Sequence, residues 1–92
     1  MQKISTLILS EEFSTTEVLK LFVSEYNKLE LLEQTSNYEE ILEKLSNING
    51  KSLFIVDLST NKQPKLDLML KISQQCTSCK ILALSDNPSV DL

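Results

Sequence analysis

The sequence predicts an α/β domain in which helices cover both faces of a parallel β-sheet, with the element order βαβαβαβ. Three observations predict it. Short apolar runs alternate with segments whose apolar residues recur at helical spacing. The run LFIV, residues 53–56, has four consecutive apolar residues, as a strand buried on both faces requires. The connections are short, and strands that alternate with helices pair in parallel through right-handed crossovers.

The first strand and the first helix come from the amino-terminal quarter of the chain. Residues 3–9 (KISTLIL) are predicted as a strand. Ser14 is followed three residues later by Glu17, and this capping-box spacing predicts the start of a helix. The apolar positions of that helix, which we expect to pack in the core, are Val18, Leu19, Phe22, Val23 and Tyr26.

The middle of the chain repeats this pattern. Residues 29–34 (LELLEQ) are predicted as the second strand. Ser36 and Glu39 again have capping-box spacing and predict a second helix, which ends near Gly50. Residues 51–57 (KSLFIVD) are predicted as the third strand.

The last predicted elements are a helix and a fourth strand. Pro64 suits the first position of a helix. Residues 79–85 (CKILALS) are predicted as the fourth strand. Residues 1–92 are thus interpreted as one domain whose last predicted strand is the fourth.

Composition excludes several classes of site. The chain has no histidine, so histidine-based catalysis and histidine-ligated zinc are excluded. Its single glycine excludes glycine-rich phosphate loops. The net charge is −4 and all nine basic residues are lysines spread along the chain, so no direct binding of nucleic acid is expected. These absences favour a module that is not an enzyme.

The two cysteines and the hydropathy indicate an ordinary intracellular domain. Cys76 and Cys79 form a lone CxxC that follows a helix, whereas a redox pair needs its first thiol at a helix N-terminus, so we expect an unremarkable reduced pair. No apolar run approaches the roughly 20 residues that a membrane helix needs. We therefore expect a cytoplasmic location and no membrane contact.

Acidic and hydroxyl side chains follow the predicted strands at their carboxyl ends. Glu11 and Glu12 follow the first strand, Asp57 ends the third, and Ser85 ends the fourth. In open parallel sheets ligands bind at this edge. Carboxylates brought together repel one another unless a cation joins them, and oxygen ligands suit Mg²⁺. The alternative interpretation, which the pattern alone leaves open, is that these acidic and hydroxyl residues are solvated loop residues at the strand ends.

Three of these motifs resemble the receiver domains of bacterial two-component response regulators, which have the flavodoxin/CheY-like fold. LILSEEFSTTEVLKLF is similar to their first strand, acidic pair and first helix. FIVDLS resembles the third strand, which ends in the phosphoacceptor aspartate, and ILALSDN resembles the fourth. The three motifs occur in the receiver order, and the resemblance covers the whole chain.

The resemblance implies a role for each matching residue. Asp57 would accept the phosphoryl group and, with Glu11, Glu12 and the backbone carbonyl of Ser59, would hold Mg²⁺. Ser85 would contact the phosphoryl group. A histidine kinase or another signalling protein would be the partner.

The sequence departs from the receiver pattern in ways that predict weak phosphorylation. Both acidic positions are glutamate, where receivers usually carry aspartate in at least one, and Mg²⁺ tolerates little change in ligand geometry. Asp86 stands where receivers have a small residue. The fifth strand and its lysine have no counterpart, and Lys80 lies at the opposite edge of the sheet.

These departures leave competing hypotheses. The favoured one is an atypical receiver-like module that acts through protein–protein interaction or dimerisation and is not efficiently phosphorylated. The alternative is a phosphorylatable receiver in a phosphorelay. Another flavodoxin-like module, such as a phosphocarrier or a cobalamin or flavin binder, is disfavoured. The chain has no cysteine after the first strand, no histidine and no glycine-rich phosphate loop. In either receiver hypothesis the fourth strand is an exposed apolar edge, so we expect a homodimer or another partner along it.

Overall fold

Four strands and three helices alternate in the computed structural model, which describes residues 3–48 and 50–85. The strands are β1 (Ile4–Leu9), β2 (Leu29–Thr35), β3 (Ser52–Asp57) and β4 (Cys79–Leu84). The helices are α1 (Phe13–Glu25), α2 (Tyr38–Leu45) and α3 (Lys62–Gln75). The predicted element order is confirmed.

All four strands are parallel, in the order β2-β1-β3-β4. The two strands with the most buried residues, β1 and β3, take the centre of the sheet, where each has a strand on either side. The β1–β3 register runs from Ser5 beside Ser52 to Leu9 beside Val56, so the carboxyl ends of these strands lie side by side. The fold has the predicted flavodoxin-like α/β architecture.

The helices divide unequally between the two faces of the sheet. One face carries α2 and α3 over a cluster of buried side chains: Leu7, Leu9, Ile41, Phe54, Val56, Leu68 and Ile72. The other face carries α1 alone, over a smaller cluster formed by Ile8, Leu19, Val23 and Ile55. Each fully buried aliphatic or aromatic side chain contributes about 1.5–3 kcal/mol to folding. The core is therefore concentrated between β1, β3 and the α2–α3 face.

Both predicted capping boxes are wrong in position. Helix α1 begins at Phe13, with Glu12 at the N-cap, and Ser14 lies inside its first turn. Helix α2 is capped by Asn37, whose side chain accepts a hydrogen bond of 2.9 Å from the Glu39 amide. An Asn one residue after Ser36 competes for the cap because its carbonyl reaches the same orphan amides.

The start of the third helix also differs from the prediction. Helix α3 begins at Lys62, so Pro64 is its third residue and not its first. A proline costs little there, because the first-turn amides have no partner within the helix. At the same carboxyl edge of the sheet, β4 stops at Leu84, one residue before the predicted boundary.

Three residues of α1 predicted for the core lie at the surface, and the first of them, Val18, is 63% exposed. Phe22 is 38% exposed and Tyr26 is 53% exposed, and their rings contact each other with a centroid separation of 4.9 Å. The predicted helix is confirmed, but only Thr16, Leu19 and Val23 of α1 are buried in the core. The neighbouring flank faces a part of the sheet that no described helix covers.

None of the helices formed by residues 3–48 and 50–85 is both long and apolar enough to cross a membrane.

Candidate functional site

The carboxyl edge of the central strands brings together two of the predicted acidic positions. Chain segments leave the sheet here after β1, through Ser10 and Glu11, and after β3, through Asp57. Because Leu9 lies beside Val56 in the β1–β3 register, the residues that follow them are neighbours. We use the name acidic edge for three residues that meet here: Glu11, Asp57 and Lys65, the last of which belongs to α3.

Asp57 is held almost completely inside the protein. It is 4% exposed, and its Oδ1 accepts hydrogen bonds from the Ser59 amide at 3.0 Å and the Ser59 hydroxyl at 2.7 Å. Its other oxygen, Oδ2, is buried and has no hydrogen-bond partner within residues 3–48 and 50–85. A buried polar atom without a partner costs free energy, and such atoms mark sites where a ligand, ion or water can bind. Asp57 is therefore well oriented on one side and open to a further partner on the other.

Lys65, which was not among the predicted site residues, supplies a positive charge at this edge. Lys65 is 1% exposed. Its ammonium donates to Glu11 Oε1 and to the Asp57 backbone carbonyl, both at 2.5 Å. The lysine thus links the ends of β1 and β3 by bonding to one group from each.

A helical pattern could have revealed Lys65. It occupies the first of the three buried positions of α3, followed by Leu68 and Ile72 at the i+3 and i+7 spacing of one helix face. A lysine on the core-facing stripe of a helix is rarely buried without a carboxylate or carbonyl partner. The sequence therefore held the signal, although not the identity of the partners.

Glu11 accepts bonds from two residues of the segment after β3. Besides Lys65 it receives a hydrogen bond of 2.6 Å from the Asn61 side chain. Asn61 has φ 49° and ψ 47°, the left-handed conformation that asparagine tolerates better than most residues. This turn aims the amide of Asn61 back at β1.

The pKa of the Glu11 carboxyl lies below its ordinary value of 4.5. Partial burial raises the pKa, but the hydrogen bonds from Lys65 and Asn61 and the positive charge of Lys65 outweigh it. A further hydrogen bond from Thr60 acts in the same direction. Glu11 is therefore held as a carboxylate by its neighbours.

Glu12 faces a different direction from Glu11. Its Oε1 accepts hydrogen bonds from the hydroxyls of Ser14 at 3.1 Å and Thr15 at 2.9 Å, both in the first turn of α1. Its backbone carbonyl accepts from Thr16. In this arrangement Glu12 stabilises the start of α1, where a negative charge is favourable.

Ser59 and Ser85 lie on either side of Asp57. The amide and hydroxyl of Ser59 both bind Asp57, as described above. Ser85 directly follows Leu84, the register partner of Asp57 in β4, and is exposed. Asp86 lies outside the described residues.

The side chains predicted to hold Mg²⁺ have other partners among the described residues. Within residues 3–48 and 50–85 there is no group of three or more carboxylates or thiolates close enough together to hold a metal ion. Of the predicted ligands, Glu11 is paired with an ammonium, and Glu12 is bonded to its own helix. A divalent cation would also be repelled by the Lys65 ammonium.

Comparisons with known proteins leave the site to be interpreted on its own geometry. A scan against protein-family models, a search of curated proteins and a search of solved structures each found no match for this chain.

Proposed function

We propose that this protein is an atypical receiver-like module, located in the cytoplasm, that acts through protein–protein interaction and is not efficiently phosphorylated. One observation carries the proposal: the buried Lys65 ammonium lies between the Glu11 carboxylate and the Asp57 carbonyl. In this proposal the lysine takes over the charge compensation that the resemblance assigns to Mg²⁺. The acidic edge is then a structural tie and not a catalytic centre.

Simple electrostatics supports this assignment. A buried ammonium with two good partners is satisfied, and removing the Glu11 carboxylate would leave the charge of Lys65 with one partner fewer. Binding a second cation at the same carboxylate would have to displace the first. The protein is then independent of Mg²⁺. Signalling partners or a second copy of the chain bind along β4, whose outer edge has no strand beside it among the described residues.

The alternative function is that of a phosphorylatable receiver, with Asp57 as the phosphoacceptor. The Oδ2 of Asp57 favours it, because no hydrogen bond from a described residue engages the lone pairs with which that oxygen would attack. The Asp57 carboxylate would attack the phosphorus of a phosphodonor, and the bond from phosphorus to the leaving group would break. A histidine kinase would be the natural donor, and Ser85 would stand beside the product.

The test is the intact mass of the protein after incubation with Mg²⁺ and acetyl phosphate, in a sample shown to be folded by circular dichroism. We expect no phosphoryl adduct. An adduct on the wild type that is absent from Asp57→Ala would contradict the proposal and establish the alternative.

Lys65→Met tests the reason for the expected result. Methionine keeps most of the volume of the lysine but removes its charge. If the ammonium excludes Mg²⁺, this variant should bind Mg²⁺ more tightly than the wild type in a calorimetric titration. Lys71→Met, an exposed site on the same helix, is the matched control and should titrate like the wild type. Equal affinities for all three proteins would contradict the role proposed for Lys65.

A further inference from the structure

On one face of the sheet, β4 is less completely covered than β1 and β2 among the described residues. Helix α1 packs mainly on β2 and β1, while α2 and α3 lie on the opposite face. On the α1 side, Leu53 of β3 and Leu84 of β4 are half-buried against the cluster under α1, and β4 also places Leu82 on this side. Leu82 is 40% exposed, although it lies beside the fully buried Ile55 in the β3–β4 register. We call these three leucines the open strip.

The wall of the open strip is an apolar flank of α1. Val18, which is 63% exposed, lines a hollow together with Leu84. Phe22 and Tyr26 follow at four-residue intervals and so lie on the same flank of the helix as Val18. The open strip and this flank meet at the hollow that Val18 and Leu84 line, and we call the apolar surface that they make up together the channel. Exposed apolar surfaces of this kind mark interaction sites.

Lysines rim one end of the channel. Lys51 and Lys80 line a pocket of about 430 Å³ there, whose floor includes Leu53, Leu29 and Ile4. Lys3 and Lys28 lie next to them along the same edge, since Ile4 bonds to the Lys28 carbonyl and Ser5 bonds to the Lys51 carbonyl.

The rim lysines are uncompensated within residues 3–48 and 50–85. The ion pairs in that part of the chain involve other lysines: Lys20, Lys44 and Lys65. All four rim lysines are exposed. Each strand thus begins at or beside a lysine, and parallel pairing collects the four charges at one edge of the sheet, opposite the acidic edge.

We propose that the open strip is the docking site for an amphipathic helix of a partner protein, with an apolar stripe along its length and carboxylates at the end that meets the lysine rim. This inference rests on the proposed interaction function and names its partner. The apolar stripe would complete the half-layer that α1 leaves open. The carboxylates would compensate the rim.

The dimensions of the channel suit a helix. Strand β4 has six residues, which span about 20 Å at ~3.3 Å per residue. A helix of about 13 residues has the same length at 1.5 Å per residue. A parallel sheet is stable when helices cover both faces, and the space left beside α1 lies over β4, none of whose residues is fully buried. An extended peptide would instead pair with the outer edge of β4 and leave the strip exposed.

The experiment uses the full chain and two synthetic peptides, each of 14 residues and labelled with a fluorophore. Both carry leucines at i, i+3, i+4, i+7 spacing. The first ends in three glutamates, and the second carries lysines in their place. We expect the glutamate peptide to bind at least ten times more tightly than the lysine peptide in an anisotropy titration, with an affinity that falls as salt is raised.

Two matched pairs of variants locate the site. Leu82→Lys should weaken binding of the glutamate peptide about tenfold or more, whereas Leu70→Lys, an exposed leucine on α3, should not change it. The double variant Lys51→Gln, Lys80→Gln should lose several-fold in affinity and most of the salt dependence. Lys71→Gln is its control.

Each contrary outcome overturns the docking proposal. If the glutamate peptide does not bind, the open strip is not a docking site for an amphipathic helix. If both peptides bind equally well, the lysine rim does not select a helix that ends in carboxylates. A dimer of the protein alone that Leu82→Lys dissociates would assign the strip to a second copy. Displacement of the peptide by a single-stranded oligonucleotide would assign the rim to nucleic acid. A phosphoryl adduct on Asp57 would overturn the proposed function instead, and leave the peptide result standing.

Discussion

Lys65 connects the two central strands through a single side chain. Its ammonium bonds to Glu11, which follows β1, and to the carbonyl of Asp57, which ends β3. Glu11 in turn bonds to Asn61, so that the loop after β3 is fastened at two points. The stability that the ion pair between Lys65 and Glu11 contributes depends on the negative charge of Glu11. Acid that protonates this carboxylate therefore weakens the contribution.

The depressed pKa of Glu11 predicts a loss of stability in acid. A carboxyl whose pKa is lower in the folded than in the unfolded protein stabilises the fold above its unfolded value, and loses this effect as the pH falls through the folded value. Chemical denaturation should therefore show that Glu11→Gln lowers the free energy of unfolding by about 0.5–1 kcal/mol near neutral pH, the range for a partly exposed ion pair. The difference should shrink below pH 4.5, the ordinary value for the group.

Glu12→Gln provides the comparison for this measurement. Its carboxylate bonds only to hydroxyls of α1 among the described residues. A pH-dependent difference as large in Glu12→Gln as in Glu11→Gln would show that the effect belongs to acidic residues in general and not to the contact with Lys65.

At the level of single elements, the cap of α2 shows how two adjacent residues compete for one role. The Asn37 side chain accepts from the Glu39 amide, while the Asn37 amide donates to the Thr35 hydroxyl at 3.0 Å. The Thr35 hydroxyl also donates to Glu40. Strand β2 and helix α2 are thus joined by a hydrogen-bonded turn in which Ser36 is exposed.

This turn predicts different effects for two neighbouring substitutions. Asn37→Ala should lower the free energy of unfolding by about 1 kcal/mol, the usual cost of removing a side-chain cap. Ser36→Ala should change it by less than about 0.5 kcal/mol, as is usual for surface substitutions. Urea denaturation of the two variants is the measurement, and equal effects would contradict the assignment of Asn37 as the cap.

The whole molecule is asymmetric in how its sheet is covered. The larger core lies between the sheet and α2–α3, and the smaller one lies under α1. Strands β1 and β3 are largely buried and each has a strand on either side, whereas among the described residues β4 has a strand, β3, on one side only. Its residues are half-buried or exposed throughout. Cooperative stability should therefore be concentrated in the centre of the sheet.

Native-state hydrogen exchange should reveal this gradient. We expect the amides of the two central strands to exchange only through global unfolding, and those of β4 to exchange through local opening of lower free energy. Peptide binding to the open strip would raise the protection of β4 selectively. Uniform protection of all four strands in the free protein would contradict the asymmetry.

Much of this fold was determined by the sequence alone. The alternation of apolar strands with helical spacing predicted the element order and the parallel sheet, because each element reports its own burial through local periodicity. The acidic positions at the strand ends followed from the same local pattern. Residues such as Phe22 were assigned to the core by the same logic, and wrongly, since periodicity marks an apolar flank but not whether anything covers it.

Tertiary structure alone decided which distant residues meet. Lys65 and Glu11 are 54 positions apart, and only the pairing of β1 with β3 brings them into contact. The four rim lysines look dispersed in the sequence, yet parallel strands place them at one edge. Both results depend on strand order and on the distribution of helices between faces, which arise from non-local packing that no local pattern encodes.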